Sequence, residues 1–355
     1  MAALPPEIWS HIVRYTVMPD WINLSRVSKD LQRMAEKRIY FSLYVRDPQI
    51  ASAISHALTV RRAFRGKYVR RFWFWMDSRL ANRTMELEMS EAFWEEMQRA
   101  FAAMVNLEVL SLHDPDASNS WVLDTPNIKF QLIELYVGFA WDAHFVQFLQ
   151  TQSRLRMLQA DETVEDGPLH SLAPGSLSSL SMFTGPALIL SELLDAPLTH
   201  VQIMLEEETL AVLPGVIYDL GRAKTKLRSI NVLHAPEALM MEVVQLLSKS
   251  NLAQTLRYLG IVPLPVLDRF ALHRALMQFT QLEVLDVNIS SWIPQPFNAY
   301  QRVIAAELLI WCPSLHRIGF WIGPTHYLWS YRGGEWANPR HVTRADESDL
   351  MWRFV

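Results

Sequence analysis

The chain of 355 residues is half hydrophobic and 20% charged, a balance that excludes global disorder and, at this length, leaves two domains or one elongated repeat array. Its 33 basic and 37 acidic residues sum to a formal charge of only -4, so no broad basic field draws it to nucleic acid or to an anionic membrane. A single cysteine, Cys312, excludes an internal disulfide framework and any multi-cysteine metal site, and fits a reducing compartment, cytoplasmic or nuclear.

In chain order, the segment from Met1 to Pro6 has neither the basic nor the apolar region of a signal peptide, and no later stretch has the length of apolar residues a membrane span needs. A soluble, unsecreted protein is expected. Leu4-Pro5-Pro6-Glu7 opens a helix, because proline presets the first turn and an acid suits the positive helix end. Ile8, Ile12 and Tyr15, with Trp9 and Val13 beside them, form one apolar stripe that needs a packing partner. Pro19-Asp20 breaks that pattern, and Leu24, Val27, Leu31 and Met34 mark a second amphipathic helix.

Leu4-Pro5-Pro6-Glu7-Ile8, Ile12, Leu24, Val27-Ser28-Lys29 and Ala35 resemble the F-box motif over about the first 45 residues. The resemblance implies that this bundle docks a Skp-type adaptor and so joins a cullin-RING ubiquitin ligase. Carried over by position, it implies adaptor contacts at Leu4, Pro5, Ile8, Ile12, Leu24, Val27 and Leu31. The sequence departs from the family at Leu31, where tryptophan is common, and in its short segment from Val17 to Trp21. The other reading of the same helices is a cap sealing the open end of a repeat array.

Beyond them an apolar pattern recurs: Leu107-Leu110-Leu112, Leu132-Leu135-Val137, Leu155-Leu158-Ala160, Leu177-Leu180-Met182, Leu198-Val201-Ile203, Leu227-Ile230-Val232, Leu256-Leu259-Ile261, Leu282-Leu285-Val287 and Leu315-Ile318-Phe320. Tyr40-Leu43-Val45 and Val69-Phe72-Phe74 extend it upstream. The leading positions are about 21 to 33 residues apart, near the leucine-rich-repeat period. Helical patterns fill the intervals at 90–104, 141–150, 187–194, 208–218, 237–247, 268–279 and 299–311. The alternation resembles the irregular leucine-rich-repeat-like arrays of fungal F-box proteins over residues 40–325. A doubly wound α/β domain stays open as the other fold, although no Gly-rich first turn is present. The expected fold class is therefore α/β: an F-box-like helical module over 1–45, an irregular leucine-rich-repeat solenoid of parallel strands and helices over 46–325, and a C-terminal hairpin and tail over 326–355. Gly333-Gly334 supplies the hairpin turn, and the mostly polar stretch 338–355 reads either as a mobile tail or as one that docks back through Met351, Trp352 and Phe354.

Side chains alternate along a strand, so if the leucines point inward, the residues between them line an open concave face. That places Arg71, Trp73, Trp75, His113, Tyr136, Phe183, Tyr258, Arg317 and Trp321 on it, a mixture of aromatic and polar groups suited to a target protein. The basic run Arg61-Arg62, Arg65, Lys67 and Arg70-Arg71 belongs to no known nucleic-acid module and reads as a solvated face or a contact to an acidic protein. No P-loop, dinucleotide-binding turn, nucleophile elbow or zinc-protease helix occurs. No catalytic residue, cofactor or metal is expected, and the chain reads as an interaction protein rather than an enzyme.

Overall fold

The computed structural model describes residues 5–60, 63–75, 89–124, 126–161, 169–223, 225–267, 269–342 and 351–355. The chain divides into two compact units, Met1–Leu177 and Ser178–Val355.

The first unit begins with three helices, α1 (Pro6–Tyr15), α2 (Met18–Leu24) and α3 (Lys29–Ile39), where the sequence pattern predicts two. Pro19 does not interrupt a helix; it sits in the first turn of α2, where its missing N–H has no intrahelical partner to lose. The Trp21 indole donates to the Val13 carbonyl at 3.0 Å and ties α2 to α1. Ser28 caps α3 by accepting from the Leu31 amide, as an N-cap serine does. The inward face of α3 buries Leu31, Ala35 and Glu36, and Glu36 takes Arg65 at 2.9 Å.

Strands and helices then follow in turn, with only a short 3-10 turn, Ser120–Val122, among the described residues between the third and fourth strands: β1 (Ser42–Val45), α4 (Pro48–Thr59), β2 (Arg71–Phe74), α5 (Glu91–Ala103), β3 (Val109–His113), β4 (Glu134–Gly138), α6 (Ala143–Gln150) and β5 (Met157–Ala160). All neighbouring strands are parallel, with Leu43, Phe72, Leu110, Leu135 and Leu158 side by side in one row. The row is buried throughout, and the helices cover it: Phe101 and Phe93 of α5 meet Phe72 and Phe74, each with ring centroids 5.7 Å apart. The recurring apolar positions are thus the seam between strands and helices. Parallel strands need such long crossovers, and a helix is the usual one.

The second unit continues the alternation with β6 (Met182–Pro186), α7 (Ala187–Glu192), β7 (His200–Met204), α8 (Leu213–Arg222), β8 (Ser229–Leu233), α9 (Glu237–Lys249), β9 (Tyr258–Pro263), α10 (Phe270–Leu276), β10 (Val284–Asn288), α11 (Asn298–Trp311) and β11 (Arg317–Ile322). Its seam is Phe183, Val201, Ile230, Leu259, Leu285 and Ile318, one residue per strand in register and all fully buried. The sheet then reverses direction. β12 (Thr325–Arg332) pairs antiparallel with β11, with β13 (Glu335–Trp336) and with β14 (Arg340–Val342). Gly333 and Gly334 both take positive φ between β12 and β13, the conformation a two-residue hairpin turn demands.

One predicted unit is out of register. Leu177 lies in a turn at φ 53° and β6 starts only at Met182, so Leu180 and Phe183 hold the seam where Leu177 and Leu180 were expected. The shift of three residues converts Phe183 from an open-face position into core, because alternate residues of a strand face opposite sides.

Candidate functional site

The face of each sheet opposite its helices is the candidate binding surface. In the first unit Tyr44, Trp73, Ser111, Tyr136 and Gln159 form a row across it. Their neighbours Trp75, His113, Gly138 and Asp161 follow at the strand ends. Trp73 stacks between Tyr44 and Tyr136, with centroid separations of 5.5 and 5.4 Å. Trp75 stacks on His113 at 4.8 Å. The two stacks and the carboxylate bound a cleft of about 380 Å³ lined by Trp73, Trp75, His113, Tyr136, Gln159 and Asp161.

Inside that cleft the carboxyl of Asp161 titrates above the ordinary carboxylate value. Burial is the largest cause, and a 3.1 Å hydrogen bond donated by the Gln159 amide and the charge of His113 only partly oppose it. The buried Trp73 indole N–H and His113 Nδ1 have no hydrogen-bond partner among the described residues. Gly138 makes room for His113: a methyl group there would meet Nδ1 at 2.8 Å. Arg71 is exposed at the start of the same face.

In the second unit the equivalent surface is occupied. The single helical turn Met351–Arg353 lies against β7, β8 and β9, and Trp352 is fully buried against Tyr258 and Val284, flanked by Met351 and Val355. His200 Nε2 meets the Val355 carbonyl oxygen at 3.2 Å. Burial holds the His200 imidazole below its ordinary pKa, with Arg228 acting in the same direction and the bond to Val355 against it. Alongside, the Tyr258 hydroxyl donates to Asp286 Oδ2 at 2.7 Å, and Asp286 Oδ1 stands 3.3 Å from His326 Nε2. Trp321 stacks on His326 at 4.5 Å. Gly319 leaves the space this pair fills, since a side chain there would collide with both Asp286 and His326.

The predicted target-binding residues therefore separate. Trp73, Trp75, His113 and Tyr136 converge on one cleft, while Arg71 is exposed at the start of β2 and is not among the residues lining it. Arg317 is exposed and Trp321 half-buried on the open row of the second unit. Phe183 is core, and Tyr258, though on the open row, is 1% exposed because the C-terminal segment covers it; neither is available to a target in this conformation. Asp161 and Gln159 were not singled out from the sequence. The alternation that places Tyr136 on the open face places them there too.

Among the adaptor-facing residues implied by the F-box resemblance, Leu4 lies outside the described residues. Pro5 is exposed and Leu24 half-buried. Ile8, Ile12 and Val27 are 45%, 37% and 68% exposed, whereas Leu31 is 2% exposed. Leu31 is a correction: it lies on the inward face of α3 beside Ala35 and supports the bundle from within. Tyr15, one turn beyond Ile12, is exposed as well, so the stripe Ile8, Ile12 and Tyr15 of α1 faces outward.

Of the basic run, Arg61 and Arg62 fall outside the described residues. Arg65 pairs with Glu36 and Arg70 with Glu108 at 2.7 Å, while the Lys67 ammonium sits 3.5 Å above the Phe64 ring. Cys312 is buried, and its Sγ donates to the Phe279 carbonyl at 3.5 Å. Among the described residues no cluster of histidine, cysteine and carboxylate side chains has the arrangement of a metal site, and no helix is long and apolar enough to cross a membrane.

Residues 1–46 match the F-box-like family, which is the stretch formed by α1 to α3 and the first strand. A search of curated proteins gives no match to the chain.

Proposed function

We propose that this chain is the substrate-recognition subunit of an SCF-type, cullin-RING ubiquitin ligase. On this reading the F-box-like module over 1–45 docks a Skp-type adaptor, and an irregular leucine-rich-repeat-like solenoid over 46–325 holds a target protein. The hairpin and tail over 326–355 close the array, and the protein works in the cytoplasm or nucleus. The chain supplies geometry; other subunits transfer ubiquitin. Neither a cofactor nor a catalytic residue of its own enters the scheme.

The observation that carries the reading is the outward-facing stripe of α1 inside the F-box-like segment. Leu31, Ala35 and Glu36 face inward, and the Glu36–Arg65 pair attaches the bundle to the strands and helices after it, so capping accounts for α3. Capping does not account for Ile8, Ile12 and Tyr15, which stay exposed. Burying a large aliphatic side chain in a partner is worth about 1.5–3 kcal/mol, and a stripe at this spacing is what a helix-in-groove contact uses. The open sheet face supports the second half of the proposal, because repeat arrays bind through that continuous surface.

Co-purification with a Skp-type adaptor tests it. The full chain is expected to retain the adaptor and the Ile8→Asp/Ile12→Asp variant to lose it. Both positions are exposed, so the fold should hold to within about 0.5 kcal/mol. A full chain that captures no adaptor overturns the proposal and leaves a scaffold whose helices only cap the array.

A further inference from the structure

We propose that the cleft of the first unit receives the guanidinium group of an arginine side chain, with Asp161 as its counter-ion and Trp73, Trp75 and Tyr136 as its walls. The proposal deepens the reading above, since the arginine would be presented by the target.

Three features of the cleft select a cation over an apolar side chain. Aromatic faces carry negative potential and attract a cation, and more strongly once water is removed. The carboxylate of Asp161 is half-buried and opposed by no side chain of fixed positive charge among those lining the cleft; its raised pKa records that partial burial. An apolar occupant would exclude the remaining water and leave the charge unpaired, the most expensive arrangement available to it. A cation reverses the sign of that term.

Within cations, the geometry favours guanidinium. Arginine is planar, stacks on aromatic rings and donates through two parallel N–H groups to one carboxylate. Gln159 spends its amide donor on Asp161 Oδ1 at 3.1 Å, which holds the carboxylate in place while each oxygen keeps lone pairs for a ligand. Trp73, Ser111 and Tyr136 are bound by strand pairing to one row, so the walls are pre-formed and little side-chain entropy is lost on binding. A quaternary ammonium such as trimethyl-lysine would use the walls but could not donate to Asp161.

The test uses the full chain and small blocked amino acids, observed through the indole N–H resonances of Trp73 and Trp75, assigned with the Trp73→Phe and Trp75→Phe variants. N-acetyl-arginine amide is expected to shift both resonances saturably at millimolar concentration. The citrulline analogue, nearly the same shape without the charge, is expected to leave them in place. Asp161→Asn should weaken arginine binding about tenfold or more, as loss of one partner of a shielded charge pair does, with no fall in Tm. Trp75→Ala, at an exposed position, should weaken it about three- to tenfold and serves should the first variant fail to fold. Equal binding of citrulline, tighter binding of the trimethyl-lysine analogue, or no saturable shift with arginine overturns the proposal. None of these outcomes touches adaptor capture, so a failed cleft and a failed ligase assignment are told apart.

Discussion

In the first unit the face opposite the helices is lined by Trp73, Tyr136 and Asp161 and stays accessible, whereas in the second Tyr258 and Val284 on that face lie beneath Trp352, flanked by Val355. On the covered face the Tyr258 hydroxyl donates to Asp286, which also faces His326, while Ser229 Oγ, Asn231 Oδ1 and the Trp352 indole have no partner among the described residues. On the accessible face the side-chain hydrogen bond to Asp161 among the described residues comes from the neutral Gln159 amide, and the Trp73 indole and His113 Nδ1 have no partner among those residues. The same alternation of strand and helix thus leaves one face covered by the chain's own C-terminal turn and the other open, and the burial of Trp352 against the exposure of Trp75 distinguishes them.

The contrast is broken most directly by removing one tryptophan from each face. Trp352→Ala should cost the chain about 3–5 kcal/mol, the usual loss for a fully buried tryptophan. Trp75→Ala, 54% exposed, should cost under about 1 kcal/mol. Denaturant unfolding monitored by circular dichroism decides it, and equal losses would mean that the C-terminal segment is not a structural part of the second unit. The glycines give the next largest difference. Gly319→Ala pushes a methyl group into Asp286 and His326, both fully buried, and overpacking of that kind costs about 1–3 kcal/mol. Gly138→Ala meets only the edge of the half-buried His113 ring, which can turn aside, so its loss in the same measurement should be the smaller.

The sequence disclosed the seam far better than the surface. Leu110, Leu135, Ile230 and Leu285 were legible because burial recurs at one position per strand and selects leucine, isoleucine or valine whatever the neighbours do. The exception, Phe183, arose from three apolar candidates within six residues, Leu177, Leu180 and Met182, where spacing alone cannot choose the register. Trp73, Trp75, His113 and Tyr136 were found by alternation. The cover over Tyr258 was not, because a contact between residue 258 and residue 352 leaves no local pattern. Leu31 was misassigned for a related reason: a motif position carries the residue type but not which face of the helix it ends on.

Asp161→Asn sharpens the comparison from the other side. Because burial raises the Asp161 pKa in the fold, the folded chain binds a proton more readily than the unfolded one, and stability falls as pH rises through the window above the ordinary carboxylate value. The variant removes that loss, so its Tm should match or exceed the parent's at neutral pH and converge with it in acid. A stability cost at Asp161 is what the proposed counter-ion role requires, because binding residues are commonly kept at the expense of stability. Arginine affinity should move oppositely, weakening as pH falls, since protonation of Asp161 removes the counter-ion.

The smallest effect belongs to His200 on the covered face, and its sign is the reverse. Burial holds the imidazole neutral, so below the ordinary histidine pKa of 6.5 the unfolded chain takes up a proton that the folded chain refuses. Stability contributed by the neutral ring is therefore complete above that value, declines as pH falls beneath it, and levels off once the lowered folded-state pKa is passed. Protonation also sets a positive charge beside Arg228 and against the buried edge of Trp352, which loosens the C-terminal turn before the rest of the unit. Hydrogen exchange of the amides in 351–355, compared between about pH 7.5 and pH 5.5, should show protection lost on acidification in the parent. In His200→Gln the same pH step should leave the protection ratio unchanged, whatever its absolute level. An equal pH response in both proteins would assign the coupling to another group and leave the Val355 contact without a role in holding the face closed.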